Sequence, residues 1–494
     1  MLTARLLARK GFEITLFERL DPTATYGFGV ALAGRVAARL EPQDPEGAER
    51  IMRLCHPLRR WTMRRGSEVA SIADRGAYGV ERTALLQTLQ ELAVEAGARI
   101  VGNTEAHLQV VAPLGDAVVL ADGVGSLGRQ VLADRVGATV RSVPIPYIWC
   151  GAHLDLDGMT LDLQRTDRGL FCAHAMPYGG GACTFQVDTV LPTLEAAGFE
   201  PDVPGDDSDE EALRFLAGVF EPLLDGRRLN GNRSRWSTFR LVTCDRWSSD
   251  NVVLAGDAAH TAHYTVGSGT RMAMEDAISL SEAIAGAGSL DEALAAYEAD
   301  RRPAVEHLQW RAARSQTWWR TLAHRYELPL DVLLLSYFTR TGSVGLGELS
   351  ASNPGIVRSA VERLPHTRLP VAVTAGADGG EPAPSAGAAS DAAERALRGR
   401  VLRAADVDGR VARIPCDGVV PWSSDPDVFA RDADAGALLV GSGDRRRVLD
   451  RFDTAEQLLT TGRGPVGVAV PRELADDAAT AVAARRVDYV VLEG

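Results

Sequence analysis

One stretch constrains the fold more than any other: NVVLAGDAAHTAHYTVGSGTRMAMEDAISL, from Asn251 to Leu280. An apolar run rich in β-branched residues reads as a strand, and it delivers Asp257 to a loop. There the carboxylate can accept a hydrogen bond from a ribose hydroxyl. A glycine-bearing turn, Gly267-Ser268-Gly269, then opens an amphipathic helix from Arg271 to Ala285. The free N–H groups and positive dipole end of that helix suit an electron-rich carbonyl. Glycines at the turn let a ring approach the backbone closely. An ordinary strand–loop–helix with a decorative acid is the plain alternative, but a composite this long is far more specific than a lone glycine motif.

The start of the chain belongs with this reading. Leu2, Leu6 and Leu7 share a helical face that ends at Lys10-Gly11, and EITLFER follows as a buried strand closing on Glu18-Arg19. Helix, glycine, strand and acid make the second half of a dinucleotide-binding βαβ unit. Its first strand and G-x-G-x-x-G turn, about 12 to 15 residues, are expected upstream of Met1. Without them EITLFER would expose an apolar edge. Thr83 to Ala96 reads as a helix closed by Gly97, and VVLADGVGSLGR as a strand entering a turn. From Pro144 to Val190 the period changes to two, with Gly179-Gly180-Gly181 as a turn between antiparallel strands. Leu290 to Thr321 is helical around Pro303. AGADGGEPAPSAGAAS, from Ala375 to Ser390, reads as a flexible linker. Strand, helix and strand at Val466–Val470, Leu474–Ala484 and Tyr489–Leu492 end a small tail expected to make few contacts with the main body.

Composition narrows the partners. A net charge of −13 argues against a nucleic-acid or anionic-membrane surface, both of which need clustered positive charge. The six cysteines include no C-x-x-C pair, so neither a zinc site nor a disulfide scaffold is indicated and no metal is expected. No apolar run approaches the roughly 18 residues of a membrane span. The chain reads as cytoplasmic.

GDAAH, the following G-x-G and a helix carrying Glu275-Asp276 closely resemble the class A flavoprotein monooxygenases, the fold group of 4-hydroxybenzoate hydroxylase. The resemblance implies non-covalent FAD with NAD(P)H as co-substrate, and one atom of O2 passed by a flavin hydroperoxide to an electron-rich ring. It implies cofactor contacts at Glu18 and Arg19 (adenosine ribose), Arg82 in GVERTALLQTLQELA (pyrophosphate) and Asp122-Gly123 (alongside FAD). Asp257, Gly267, Gly269 and Thr270 complete the set. The segments YGFGVALAG, YIWCGAH, FCAHAMPYGGG, TAHYTVGSGTRMAMEDAI, YEADRRPAVE and FTRTGSV look like the salicyloyl-CoA hydroxylases and anthraniloyl-CoA monooxygenases, over roughly residues 1 to 355. An ortho-hydroxy or ortho-amino aryl thioester, on CoA or a carrier protein, is the substrate this implies.

The expected architecture is α/β: a FAD-binding, Rossmann-like (GR2-type) domain at 1–143 and 245–365, lacking its first strand, with an inserted antiparallel substrate-side sheet at 144–244. A linker at 366–398 and an α/β tail at 399–494, a relic of an FMN-binding barrel or a thioredoxin-like appendage, complete it. His260, His263 and Tyr264 are candidates for proton transfer or substrate contact, although such histidines more often satisfy hydrogen bonds within their loop. Arg59, Arg60, Arg64 and Arg65 either hold coenzyme A phosphates or line a solvated surface, and Trp318 and Trp319 read as core. The expected partners are the aromatic substrate and O2, with no nucleic acid or membrane and room for a homodimer. Other functional readings are a hydroxylase of a free phenol and a flavin-free relative that acts as a binding or scaffold protein. A flavin-dependent halogenase would share the fold, but its tryptophan-rich signature is not seen.

Overall fold

From the N-terminus to residue 254 the chain forms β1 (Thr15–Phe17), β2 (Gly29–Ala33), β3 (His56–Arg65), β4 (Glu68–Glu81), β5 (Arg99–Val101), β6 (Val118–Leu120), β7 (Thr139–His153), β8 (Met159–Thr166), β9 (Gly169–Gly179), β10 (Ala182–Asp188), β11 (Ser237–Thr243), β12 (Ser248–Ser249) and β13 (Val252–Leu254). The structure, a computed structural model, describes residues 1–21, 27–364, 388–402, 407, 411–416, 436–462 and 464–493. They fall into two units: Met1–Gly66 with Asp74–Ala312, and Ser67–Ala73 with Ala313–Gly494.

In the first unit, period-two patterning builds an eight-stranded sheet in the order β11-β7-β10-β9-β8-β3-β4-β2. Phe185 faces Cys150 of β7 and Ala175 of β9, and the side chains alternate from there. One face carries Ile148, Cys150, Ala173, Ala175, Phe185 and Val187, packed with Leu194, Leu213, Leu216, Phe220 and Trp236 into a core. The alternate positions, Tyr147, Trp149, His174, Thr184, Gln186 and Asp188, line the other face and are mostly polar. The sheet is wider than the insertion expected at 144–244. β7 begins at Thr139, and β2 to β4 come from the N-terminal stretch. The arginine-rich HPLRRWTMRR of β3 hid its strand character, because the strand buries only Leu58 and Met63 well while Arg59 and Arg60 are exposed and Arg64 lies half-buried, 3.9 Å from Asp162.

The α/β part supplies parallel pairs, β1 with β5 and β6 with β13. Strand β1 departs from expectation: it is three residues long, with Thr15 and Phe17 exposed and Phe17 39% accessible. It has a sheet partner on one edge only among the described residues, so a continuous apolar run does not bury it. The Leu2–Ala8 helix packs Leu2 and Leu6 against Met274, Ala277 and Ile278 of the Gly269–Gly286 helix. Arg5, itself buried, bonds Asp44 (2.9 Å), Glu46 (2.8 Å) and the Leu92 carbonyl (3.0 Å).

The second unit holds β14 (Val401–Leu402), β15 (Ala412–Pro415), β16 (Ala437–Val440), β17 (Val466–Pro471) and β18 (Tyr489–Glu493), all parallel in the order β14-β18-β17-β16-β15. This is the neighbour order of a βα-barrel wall, with the first strand against the last, but with fewer than the eight strands of a barrel among the described residues. The helices Leu330–Thr339, Leu346–Ser352 and Pro354–Glu362 pack with the tail helices Ala388–Leu397 and Ala475–Ala483. Buried Arg314 pairs with Asp453 (3.2 Å), Arg325 with Glu456, and Arg486 with both acids. Residues 313–364 therefore belong with the tail, not with a cofactor domain ending at 365, and the tail is not a loosely attached appendage. Its partners lie more than a hundred residues away in sequence, so no local pattern exposes them. Of the linker expected at 366–398, residues 366–387 lie outside the described residues, while Ala388–Leu397 is helical, as its alanine content favours. Trp318 and Trp319 are buried, as read from the sequence. Among the described residues no helix is long and apolar enough to cross a membrane.

Candidate active site

Strand β13 ends at Leu254 and the chain turns at Gly256, where φ is +59°. A Cβ there would stand 3.3 Å from Ala273, so glycine lets the loop lie against the Gly269–Gly286 helix. The contact is locked by Asp276, whose Oδ2 accepts the Gly256 N–H (2.9 Å) and meets His260 Nε2 (2.8 Å), while Arg301 Nε donates to Oδ1 (2.9 Å). Burial alone would raise the Asp276 carboxyl; His260 and Arg301 outweigh it and hold the group below the usual carboxylate range. Trp247 stacks on the His260 ring at 4.6 Å. His260 is thus committed to bracing the loop, not to the open groove.

Asp257, next along, turns to the open side. Desolvation by the surrounding protein raises its carboxyl above the ordinary range, opposed by His260, Arg82 and Arg129. Burial lowers the Arg82 guanidinium, and Asp257 draws it back up, which places the two within one field. Buried Arg129 joins two loops: it donates to Val124 O (2.5 Å) in the turn after Asp122-Gly123 and to Ala258 O (2.9 Å) beside Asp257. Gly123 has φ +80°, and Asp122 Oδ2 accepts the Gly128 N–H at 3.4 Å. Arg82, Asp122-Gly123 and Asp257 are therefore brought together. Glu18 and Arg19 follow the end of β1, where Glu18 Oε1 takes the Leu20 N–H (2.9 Å) and Arg19 is exposed.

The helix end beyond the loop is open. Gly267 is left-handed (φ +60°) and its N–H bonds Tyr264 O at 2.7 Å. Ser268 sits at the N-cap of an 18-residue helix without capping it, and its buried Oγ has no partner. The N–H groups of the first turn, Gly269, Thr270 and Arg271, precede the first intrahelical bond, Met272 N to Ser268 O (2.8 Å). A Cβ on Gly267 or Gly269 would meet nothing in the protein. A positive helix end, an orphan hydroxyl and space beside two glycines together suit a flat ring that presents a carbonyl.

Between this turn and the polar face of the sheet lies an aromatic wall. Tyr264 lies 4.8 Å from Tyr147 and 5.8 Å from Phe239, ring to ring. Its hydroxyl donates to Asp188 Oδ1 at 2.5 Å, and His174 Nε2 is 2.6 Å from Asp188 Oδ2. Gln186 Nε2 donates to Asp188 Oδ1 (2.9 Å), and the Trp149 indole N–H donates to Gln186 Oε1. His263 is buried beneath, its Nδ1 3.1 Å from Thr265 Oγ1, and burial pushes it down to about 3, so it is a neutral imidazole at working pH. Sequence reasoning missed Asp188, His174, Gln186 and Arg129. The first three were accessible through the period of two in FCAHAMP and FQVDTV, which sets them opposite Phe185 and Val187. Arg129 gave no such signal. A surface depression of about 900 Å3 elsewhere in this unit, lined by Arg135, Asp250, Glu298 and Arg302, contains none of these groups.

Residues 227–312 match the family model described as FAD binding domain. The chain is 36% identical over 355 residues to a salicyloyl-CoA 5-hydroxylase of Streptomyces sp, covering 71% of this chain and 68% of the relative. It is also 36% identical over 350 residues to a 3-hydroxy-4-methyl-anthranilyl-(aryl-carrier protein) 5-monooxygenase of Streptosporangium sibiricum, covering 70% and 92%. The chain belongs to the FAD-dependent aromatic monooxygenases. Its fold agrees with that of 2-methyl-3-hydroxypyridine-5-carboxylic acid oxygenase, at TM-score 0.53 and 19% identity over 72% of this chain and 94% of the other. For a monooxygenase of this family the open helix end and unpaired Ser268 hydroxyl fit the flavin ring, and the exposed Asp257 with Arg82 and Arg129 near it fits the rest of FAD.

Proposed function

We propose that this monooxygenase hydroxylates an electron-rich aromatic ring delivered as an acyl thioester, on coenzyme A or a carrier protein, with NAD(P)H as reductant. One observation carries the reading: the two relatives at 36% identity are both named for aryl groups bound in that form, one on CoA and one on a carrier protein. FAD, when bound, supplies the activation of O2 and the oxygen transfer. The chain's own residues supply the rest. Gly267, Gly269 and Thr270 receive the ring of the cofactor at the helix end. Asp257 holds its ribityl–pyrophosphate stretch, with Arg82 on the phosphates, Asp122-Gly123 alongside and Glu18-Arg19 at the adenosine ribose. Tyr147, Phe239 and Tyr264 wall the substrate ring and keep water from it. The six cysteines stand as thiols and not as disulfides, which supports work in a reducing cytoplasm.

The test is a panel in which salicyloyl-CoA, anthraniloyl-CoA, the free acids and simple phenols are compared for stimulated NADPH oxidation and ring hydroxylation. Stimulation by thioesters at least tenfold above the free compounds is expected. Equal stimulation by free phenols would replace the thioester reading with that of a free-phenol hydroxylase.

A further inference from the structure

A second cavity lies on the inner side of the loop that carries Asp257. Its volume is about 150 Å3, and Cys244, Trp247, His260, Val305 and Gln309 wall it. Tyr147, Asp257, Tyr264 and Ser268 take no part in the wall, so the cavity is separate from the flavin groove and the substrate cleft. Arg302 stands both in this wall and in that of the surface depression of about 900 Å3, and the two spaces adjoin there.

The wall is built to accept hydrogen bonds. His260 Nε2 meets Asp276 Oδ2 at 2.8 Å, and an ionised carboxylate only accepts. The neutral imidazole therefore carries its proton on Nε2, and Nδ1 keeps a lone pair. His260 is 1% exposed, and its Nδ1 has no hydrogen-bond partner among the described residues. Gln309 gives its amide nitrogen to Val242 O (3.0 Å) and Thr261 O (2.9 Å), which leaves its Oε1 as an acceptor. Trp247, stacked on the His260 ring at 4.6 Å, and Val305 supply apolar surface. The solvent side carries two carboxylates, Asp245 and Glu306, against one guanidinium, Arg302, which is already paired with Glu298 (3.0 Å) and Glu306 (2.9 Å).

We propose that this cavity is a second binding site, for one small uncharged ring bearing an O–H or N–H donor, and that its occupant braces the Asp257 loop from within. The space is about that of one benzene-sized ring. The two acceptors call for a donor, the indole and Val305 for a flat apolar body, and the carboxylates turn an anion away. The connection to the loop is short. The Asp276 oxygen that meets His260 also accepts the Gly256 N–H (2.9 Å), and Gly256 precedes Asp257. A buried nitrogen without a partner weakens the loop that holds it, and a donor on Nδ1 removes that weakness only while the loop is in place. A ligand that binds the ordered loop and not the locally opened one therefore holds it ordered.

The test is amide hydrogen exchange, followed by mass spectrometry on the full chain with and without 4-fluorophenol, and with 4-fluoroanisole as a control that lacks the donor. In the wild type 4-fluorophenol should slow exchange at least threefold in the segment 252–262, which contains the Gly256 N–H, and 4-fluoroanisole should not. Val305→Phe and Cys244→Leu each fill the cavity and leave the substrate cleft and the flavin groove untouched, and either one that keeps the wild-type circular dichroism spectrum serves. In that variant 4-fluorophenol should no longer slow the segment. No slowing in the wild type means that the cavity holds water alone and overturns the proposal. Equal slowing by 4-fluoroanisole removes the donor requirement and overturns it as well. Slowing that survives the filled cavity places the phenol in another site, the substrate cleft included, and does the same. Because neither flavin nor thioester enters the measurement, the thioester panel can fail without touching this result.

Discussion

Asp257 and His263 lie six positions apart on one loop and have opposite duties: one offers an exposed carboxylate, and the other is buried as a neutral imidazole. Asp257→Ala removes the carboxylate in the groove but leaves the brace at Asp276 intact. A folded protein that retains little flavin is expected, read as the 450-nm absorbance per mole of protein, and full flavin occupancy would remove Asp257 from the cofactor site. His263 makes a pH prediction. Its folded value is about 3 against 6.5 in the unfolded chain, so the unfolded state takes up a proton first. Its contribution to stability is intact above pH 6.5 and is lost as pH falls toward 3, at up to about 1.4 kcal/mol per pH unit. His263→Gln should flatten the decline in melting temperature between pH 6.5 and 4 relative to the wild type. Parallel curves would show that another group carries the acid sensitivity. At this scale the sequence made Asp257, Gly267 and Gly269 visible, because their chemistry lies in one continuous stretch. It left His260 and Tyr264 ambiguous, because what they do depends on Asp276 and Asp188, which come from other elements.

Among the elements, the Gly269–Gly286 helix does two jobs, offering its open end to the groove and its Asp276 to the loop. Asp276→Ala strands the buried Arg301 and His260 without their shared anion, and a loss of about 3–5 kcal/mol is expected in chemical denaturation. A loss below about 1 kcal/mol would mean that the loop is held otherwise. Gly267→Ala separates geometry from function. With φ +60° and nothing near its Cβ, the change costs about 1 kcal/mol of stability, yet it should lower flavin occupancy sharply because the methyl group enters the space left for the ring. Long periodic elements were legible: the helix closed by Gly97, the Gly179-Gly181 turn and the tail's strand–helix–strand all lie within a few residues of their expected bounds. Strand β3 was not, since four arginines mask its alternation, and β1 is shorter and more exposed than EITLFER suggested.

For the whole chain, the largest revision concerns the tail. Arg314 and Arg325 are buried and neutralised by Asp453 and Glu456, and Leu346 N–H bonds Thr480 Oγ1 at 2.9 Å. A chain ended at residue 364 would leave two guanidinium groups without their acids. Its helices from 313 to 364 should lose their fold, with poor soluble yield or a melting temperature lowered by 10 °C or more, in keeping with several kcal/mol of unpaired buried charge. A truncated chain that melts like the full-length protein would contradict the assignment of 313–364 to that unit. The central claim, that this chain is a FAD-dependent aromatic monooxygenase acting on an aryl thioester, has one most direct measurement. FAD-loaded protein is given salicyloyl-CoA, NADPH and 18O2, and the acyl group is analysed by mass spectrometry. The account expects one 18O atom in a new ring hydroxyl, formed in step with NADPH consumed. NADPH oxidation that yields only hydrogen peroxide and unlabelled acyl-CoA, or no oxidation above background, would contradict it.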